Sequence, residues 1–239
     1  MNRRNALLGG ATAVVAAATT IPAAGAVLSV KTLAAPVSGP ILVGVLVGNG
    51  ANVIDFAGAW EVFQDVVVPG RGTSEADESP FRIAMVSEKS EPLTATGGMI
   101  VTPRFSFDTV PALPNVLVIG AQGEHTPEKI AWIRKAAQKA DVVMSVCTGA
   151  FLLAKTGLLD GLEATTHHDF YDAFAKEFPA VRLVRGPRFI DQGNVATAGG
   201  LTSGIELALH VVQRYFGTAV TNRAAHYMEY ARSPQRPTV

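Results

Sequence analysis

The chain has 239 residues, with 20 Lys plus Arg balancing 20 Asp plus Glu, a single cysteine and 48% hydrophobic residues. Residues 1–38 hold Arg3, Arg4 and Lys31 and no acid, so the other 201 residues carry 17 basic and 20 acidic side chains, a formal charge of −3 that excludes a basic nucleic-acid binder. A lone cysteine excludes an internal disulfide, no Cys and His cluster stands at zinc-finger spacing, and 201 residues suffice for one self-supporting core.

The N-terminus reads as an address. Asn2-Arg3-Arg4-Asn5 precedes an uncharged run to Val30 made of small and apolar residues with Thr, Gly and Pro22, and this resembles a twin-arginine-type export signal. Ala24-Gly25-Ala26 offers the small-x-small pattern that signal peptidase accepts, and Thr32-Leu33-Ala34-Ala35 is a second cut region. Left uncut, the run would be long enough for a membrane anchor, but its Gly, Thr and Pro content makes it a poor span. The expectation is an exported protein, periplasmic or extracellular, with residues 1–38 outside the fold and 39–239 forming one domain. No lipobox cysteine is present, so a lipoprotein is excluded.

Past Pro40 short Val- and Ile-rich runs alternate with amphipathic stretches, the pattern of a mostly parallel sheet with helices on both faces. In chain order the sequence predicts a buried strand at Ile41–Val47, a short helix over Gly58–Val66, a flexible polar loop at Pro69–Ser79, and strands at Phe81–Ser87, Met99–Thr102 and Asn115–Ile119. Thr126-Pro127-Glu128 then starts a helix that runs to about Ala140, with an N-cap hydroxyl and Pro at the first helical position. A strand follows at Asp141–Val146, helices at Phe151–Lys155 and Phe170–Phe178, strands at Val181–Val184, Phe189–Ile190 and Val195–Thr197, and a long helix from about Thr202 to Phe216.

The most informative passage is Ser145-Val146-Cys147-Thr148-Gly149-Ala150, where a buried strand ends on the cysteine and a helix begins at once. Such a turn lifts the side chain above the carboxyl end of the sheet, where open α/β folds bind ligands. The helix N-terminus then favours thiolate, which predicts a thiol pKa below about 8.5.

These stretches, together with Ile54-Asp55-Phe56-Ala57-Gly58-Ala59-Trp60-Glu61, Ala164-Thr165-Thr166-His167 and Thr197-Ala198-Gly199-Gly200, resemble the DJ-1/PfpI superfamily with its class I glutamine amidotransferase-like, flavodoxin-type fold, from Ile41 to about Tyr230. The nearest likeness is to the isonitrile hydratase branch and the sensor halves of AraC-type regulators. The resemblance implies a nucleophile elbow at Cys147, with Asp55 as the acid hydrogen-bonded to the sulfur and Thr148 as the residue beside it. Cys147-Thr148-Gly149 lacks the histidine that the peptidase branch carries after its cysteine, which disfavours a peptidase. Where the family has a Gly-Gly oxyanion loop this chain has Gly120-Ala121-Gln122-Gly123, so backbone donors are retained while the side chains of Ala121 and Gln122 narrow the pocket. His168 stands where the hydratase relatives often carry an aromatic residue. His167 matches a histidine near the cysteine, as a ligand or thiolate partner or as a strand-end histidine satisfied by backbone.

Other polar residues read blandly. Asp169 caps the next helix, Glu61 is an exposed helix charge, Trp60 and Phe63 belong to the core, His125 is a loop histidine, and His226, Tyr227 and Glu229 lie on a helix surface or a subunit contact. No credible metal set is present, since only Asp169 and Asp172 accompany the adjacent His167 and His168. The resemblance thus implies a cofactor-free, homodimeric enzyme acting on a small molecule, with no nucleic-acid partner and with membrane contact only through an uncut signal. A glyoxalase-like cysteine enzyme and a non-enzymatic ligand or redox sensor remain as alternatives.

Overall fold

In the computed structural model, residues 31–231 are described, and the stretch from Asn2 to Val30 lies outside them. The first half runs β1 (Ile41–Leu46), α1 (Val53–Gln64), α2 (Glu75–Glu78), β2 (Phe81–Ser87), β3 (Leu93–Thr94), β4 (Ile100–Val101), β5 (Phe105–Ser106), β6 (Val116–Ile119) and α3 (Pro127–Ala137). The second half runs β7 (Val142–Val146), α4 (Gly149–Ala154), β8 (Glu163–Ala164), α5 (Tyr171–Glu177), β9 (Arg182–Leu183), β10 (Phe189–Asp191), β11 (Val195–Ala198) and α6 (Ser203–Tyr227).

Seven strands form one sheet in the order β10-β11-β7-β6-β1-β2-β5, parallel throughout except for β10. This is the flavodoxin-like, doubly wound arrangement. Every residue of β6 and β7 is buried, because helices cover both faces. On one face Phe56, Val62 and Phe63 of α1 and Leu207, Val211 and Val212 of α6 lie over Val43, Val45, Val118 and Met144. On the other, Trp132 and Ile133 of α3, Leu152 and Leu153 of α4 and Phe174 of α5 cover Leu46, Leu117, Ile119 and Val143. The register sets Leu46 beside Ile119, Ile119 beside Ser145, and Val146 beside Ala198, so four strands end together under one crevice.

Several boundaries differ from the sequence reading. Helix α1 starts at Val53 rather than Gly58, because loops from elsewhere satisfy its entry: Val53 N–H donates to Thr96 Oγ1 at 3.2 Å and Asn52 N–H to the Ala121 carbonyl at 2.9 Å. Asp55 therefore sits in the first turn of a helix. The Pro69–Ser79 stretch is no flexible loop. It carries α2, capped by reciprocal Ser74 and Asp77 contacts, and it is tied down by the buried Arg71 guanidinium, which donates to the Asp77, Pro36 and Gly39 carbonyls. The strand foreseen at Met99–Thr102 is β4 of a separate hairpin with β3, and the edge of the main sheet is β5. The foreseen Val181–Val184 strand is β9, which pairs only with β8. Helix α6 breaks at Gly217 (φ 78°, ψ 177°), one residue past the expected end, and resumes to Tyr227.

The N-terminal boundary also moves. Leu33 and Ala35 lie against the core, and Leu33 N–H donates to the Arg214 carbonyl at 2.8 Å, so the fold begins well before residue 39. Among the described residues no helix is long and apolar enough to cross a membrane.

Phe63 is 1% exposed and its ring meets Phe81 at 4.9 Å between centroids. Phe63→Ala is expected to destabilise by about 3–5 kcal/mol through lost burial and a cavity. The exposed Gln64→Ala is expected to change stability by less than about 0.5 kcal/mol. Chemical denaturation of both variants checks the pair.

Candidate active site

At the end of β7 the chain turns through Cys147 in the left-handed region, at φ 59°. A non-glycine residue there costs roughly 1–3 kcal/mol and persists only where its surroundings hold it. Three contacts do so. Cys147 N–H donates to the Gly199 carbonyl at 2.9 Å, the Thr166 hydroxyl donates to the Cys147 carbonyl at 2.9 Å, and Gly199 N–H is itself fixed to the Arg188 carbonyl at 2.9 Å. Gly149 must be glycine, because a Cβ there would lie 2.1 Å from the Ile119 carbonyl oxygen.

Asp55 reaches the same point from α1. Its side chain is fully buried, and Oδ2 accepts the Ala121 N–H at 3.0 Å. Burial pushes its carboxyl up from 3.8 to about 6, against the Ala121 amide, the Cys147 thiol and the Leu201 amide, all of which favour the charged form. Oδ1 has no regular hydrogen bond, so the thiol and Leu201 contacts hold it less firmly than Ala121 holds Oδ2. The loop approaches closely here: a Cβ on Gly120 would stand 2.9 Å from that of Asp55.

The thiol does not follow the sequence expectation. Cys147 is 5% exposed, and burial, then the charge of Asp55, raise it from 9.0 to about 11, outweighing the Thr148 and Leu201 amides and the Thr148 hydroxyl. The helix that was to lower it, α4, is only six residues long and supplies a weak terminal charge. Near neutral pH the two groups together therefore carry one negative charge and one proton, and they titrate as a pair.

The other sequence-derived residues fall at different distances from this centre. Thr148 sits at the start of α4 beside the sulfur. The Ala121 amide is taken by Asp55, and the Gly123 amide by the Asn49 carbonyl at 2.8 Å, which leaves the Gln122 amide as the one of the three outside these bonds. The Gln122 side chain turns away, with Oε1 buried against Gly48. His167 lies flat over Gly200, where a Cβ would meet its ring at 2.1 Å, and its Nδ1 accepts the Asp169 N–H at 3.2 Å. It makes no hydrogen bond to Cys147; its neighbour Thr166 does. Ligand atoms of His167, His168 and Asp169 come within 4.8 Å of one another, although His168 and Asp169 are exposed and His167 Nδ1 is engaged. Glu61 is exposed and Phe63 is core, as read from the sequence, while burial holds the His125 imidazole below 6.5.

A profile of the DJ-1/PfpI family matches residues 42–214. The chain belongs to the DJ-1/PfpI family. Within it, isonitrile hydratase of Pseudomonas putida is 31% identical over 158 residues, 64% of this chain and 68% of that protein. The HTH-type transcriptional regulator GbdR of Pseudomonas aeruginosa is 28% identical over 64% of this chain, which spans only 42% of the regulator's length. The solved structure of a ThiJ/PfpI family protein from Pseudomonas syringae superimposes with a TM-score of 0.69 at 25% identity, covering 92% of this chain and 86% of that one.

Sequence reasoning missed Leu201, whose amide faces both Asp55 and Cys147 and whose φ of 54° aims it there. The signal was present in Gly199-Gly200, since such a turn places the next amide at the crevice.

Ionising Asp55 costs more in the fold than in the unfolded chain, because the folded value is the higher. That penalty is absent below about pH 3.8, grows as pH rises to about 6 and is complete above it. Asp55→Asn escapes it, so the stability gained by the variant over the parent is expected to rise between about pH 4 and 6 by at most about 3 kcal/mol and then level off. Thermal unfolding of both proteins across that range checks it, and a flat difference would refute the raised carboxyl.

Proposed function

We propose that the protein is a cysteine-dependent hydratase that converts an isonitrile to an N-substituted formamide, with Cys147 as nucleophile and Asp55 as proton donor and then base. The observation that carries this reading is the buried Asp55–Cys147 pair, the carboxyl raised to about 6 and the thiol to about 11, which keeps one proton within the pair at neutral pH. The 31% identity to isonitrile hydratase supports it. An isonitrile carbon becomes electrophilic once protonated, so the reaction needs an acid and a nucleophile converging on one atom.

The state with protonated Asp55 and thiolate Cys147 is the reactive one. Asp55 gives its proton to the isonitrile carbon as the sulfur's electron pair forms the carbon–sulfur bond, leaving a thioimidate and the Asp55 carboxylate. The carboxylate then takes a proton from water, the hydroxide adds to the same carbon, and the carbon–sulfur bond breaks. As the carbonyl forms, the proton of the added hydroxyl passes to the nitrogen and the sulfur leaves as thiolate, so the formamide departs with Asp55 protonated and Cys147 ionised as at the start. Thr148 and the Leu201 amide hold the sulfur in place, and the Gln122 amide is left to meet developing charge. No cofactor enters the scheme.

A second reading is a ligand-sensing domain, favoured by the nearly closed site, with Cys147 only 5% exposed, and by the regulator relatives. Formamide release from a panel of alkyl and aryl isonitriles, with methylglyoxal alongside, separates the readings. Turnover of an isonitrile is expected, reduced by roughly 10²–10⁴-fold in Asp55→Asn and abolished in Cys147→Ala. Saturable isonitrile binding with no product would favour the sensor, and turnover of methylglyoxal alone would favour a glyoxalase. The charge argument yields a further expectation: Asp55→Asn removes the neighbouring carboxylate, so alkylation of Cys147 by iodoacetamide should reach half its maximal rate at a lower pH than in the parent.

A further inference from the structure

Away from the crevice, the chain buries a cation that reads the backbone of its own N-terminal segment. Arg214 on α6 is 1% exposed. Its Nη1 meets Asp191 Oδ1 at 3.2 Å, and Asp191 Oδ2 meets His210 Nε2 at 2.8 Å. Its Nε donates to the Lys31 carbonyl at 2.9 Å, while its own carbonyl accepts the Leu33 N–H at 2.8 Å. Further along, Leu33 and Ala35 lie against the core, and the second buried guanidinium, Arg71, donates to the carbonyls of Pro36 at 3.0 Å and Gly39 at 2.5 Å. Asp77 accepts the Gly39 N–H at 2.9 Å. Residues 31–39 are thus a strap pinned at both ends by buried arginines.

The strap separates two cut regions that the sequence alone leaves open. Arg214 Nη2 is already buried without a hydrogen-bond partner among the described residues, so losing the Lys31 carbonyl would leave a second donor of the same buried charge unmet. A protease must also draw its substrate into an extended, unpaired form, and Thr32–Ala35 is flanked by guanidinium bonds to the Lys31 and Pro36 carbonyls and held within by the Leu33 amide. Ala24-Gly25-Ala26 precedes Lys31, the first of the described residues.

We propose that residues 31–39 belong to the mature protein and that export processing hydrolyses the Ala26–Val27 bond rather than any bond within Thr32–Ala35. Water supplies the hydroxyl to the new Ala26 carboxyl and the hydrogen to the Val27 amine. The inference rests on the export reading of the N-terminus and is independent of the chemistry at Cys147.

Full-length protein expressed in a bacterium with twin-arginine export is fractionated, and its intact mass and N-terminal sequence are read. An exported protein starting at Val27 is expected. A start after Lys31 overturns both parts of the proposal, an exported start elsewhere before Lys31 overturns the cut position alone, and an uncut chain confined to the cytoplasm overturns the export reading beneath it. The strap has its own test in a cycle of chains beginning at Val27 or at Pro36, each with Arg214 or with Arg214→Met. Loss of the strap is expected to lower Tm by at least about 5 °C with Arg214 present and by clearly less in Arg214→Met. Additive changes would overturn the clamp. Hydrogen exchange on the unaltered chain keeps the test open even where the shorter chain does not fold: the Leu33 amide is expected to be protected, and free exchange there would overturn the strap.

Discussion

The site depends on two buried groups that cannot both be ionised. Asp55 and Cys147 come from opposite sides of the sheet's carboxyl edge, α1 and β7, and share a space from which water is nearly excluded. Burial there raises both, the carboxyl to about 6 and the thiol to about 11, and the charge of Asp55 adds to the rise of the thiol. The resting pair holds a proton at all ordinary pH values, and what its neighbours decide is on which atom that proton sits. Ala121, Leu201 and Thr148 stabilise negative charge at one partner or the other, so small displacements of these donors shift the balance between an inert thiol and a reactive thiolate beside an acid.

Those donors are placed by contacts far apart in sequence. Cys147 adopts a backbone conformation that costs free energy, and the strand end can keep it only because Gly199 and Thr166 grip its amide and carbonyl. The Gly199–Leu201 turn is in turn braced by Arg188, whose carbonyl holds Gly199 and whose guanidinium reaches Glu206 at 2.9 Å, Thr202 at 3.2 Å and the Tyr230 hydroxyl at 3.3 Å. The chain beyond the break at Gly217 thereby supports the elbow, although it lies 83 residues from Cys147 when measured to Tyr230.

The sequence made the fold legible because its signals were local. Short Val-, Ile- and Ala-rich runs marked β1, β2, β6, β7 and β11, Thr126-Pro127 marked the start of α3, and the strand-to-helix turn at Cys147 was evident from Val146 and Gly149. What failed was nonlocal. The early start of α1 rests on Thr96 and Ala121, the order in the Pro69–Ser79 stretch rests on Arg71 reaching Pro36 and Gly39, and the edge strand β5 is two residues long. The expected low thiol pKa failed for a similar reason. A helix terminus can be read from sequence, whereas the length of that helix and the burial of an acid from another element decide the sign.

The closure that tunes the pair also constrains how it can be used. A site with Cys147 only 5% exposed admits a reactant only if it is slender or if a neighbouring segment gives way. The floor of the crevice leaves little room to yield: a Cβ at Gly149 would lie 2.1 Å from the Ile119 carbonyl oxygen, and one at Gly120 2.9 Å from the Cβ of Asp55 on α1. Leu201 is the natural place for yielding, since it is 40% exposed, carries left-handed strain and holds its side chain outside while its amide faces inward. Displacing that turn would also move the Gly199 carbonyl that holds the Cys147 amide, so access to the sulfur and the backbone geometry that presents it are coupled.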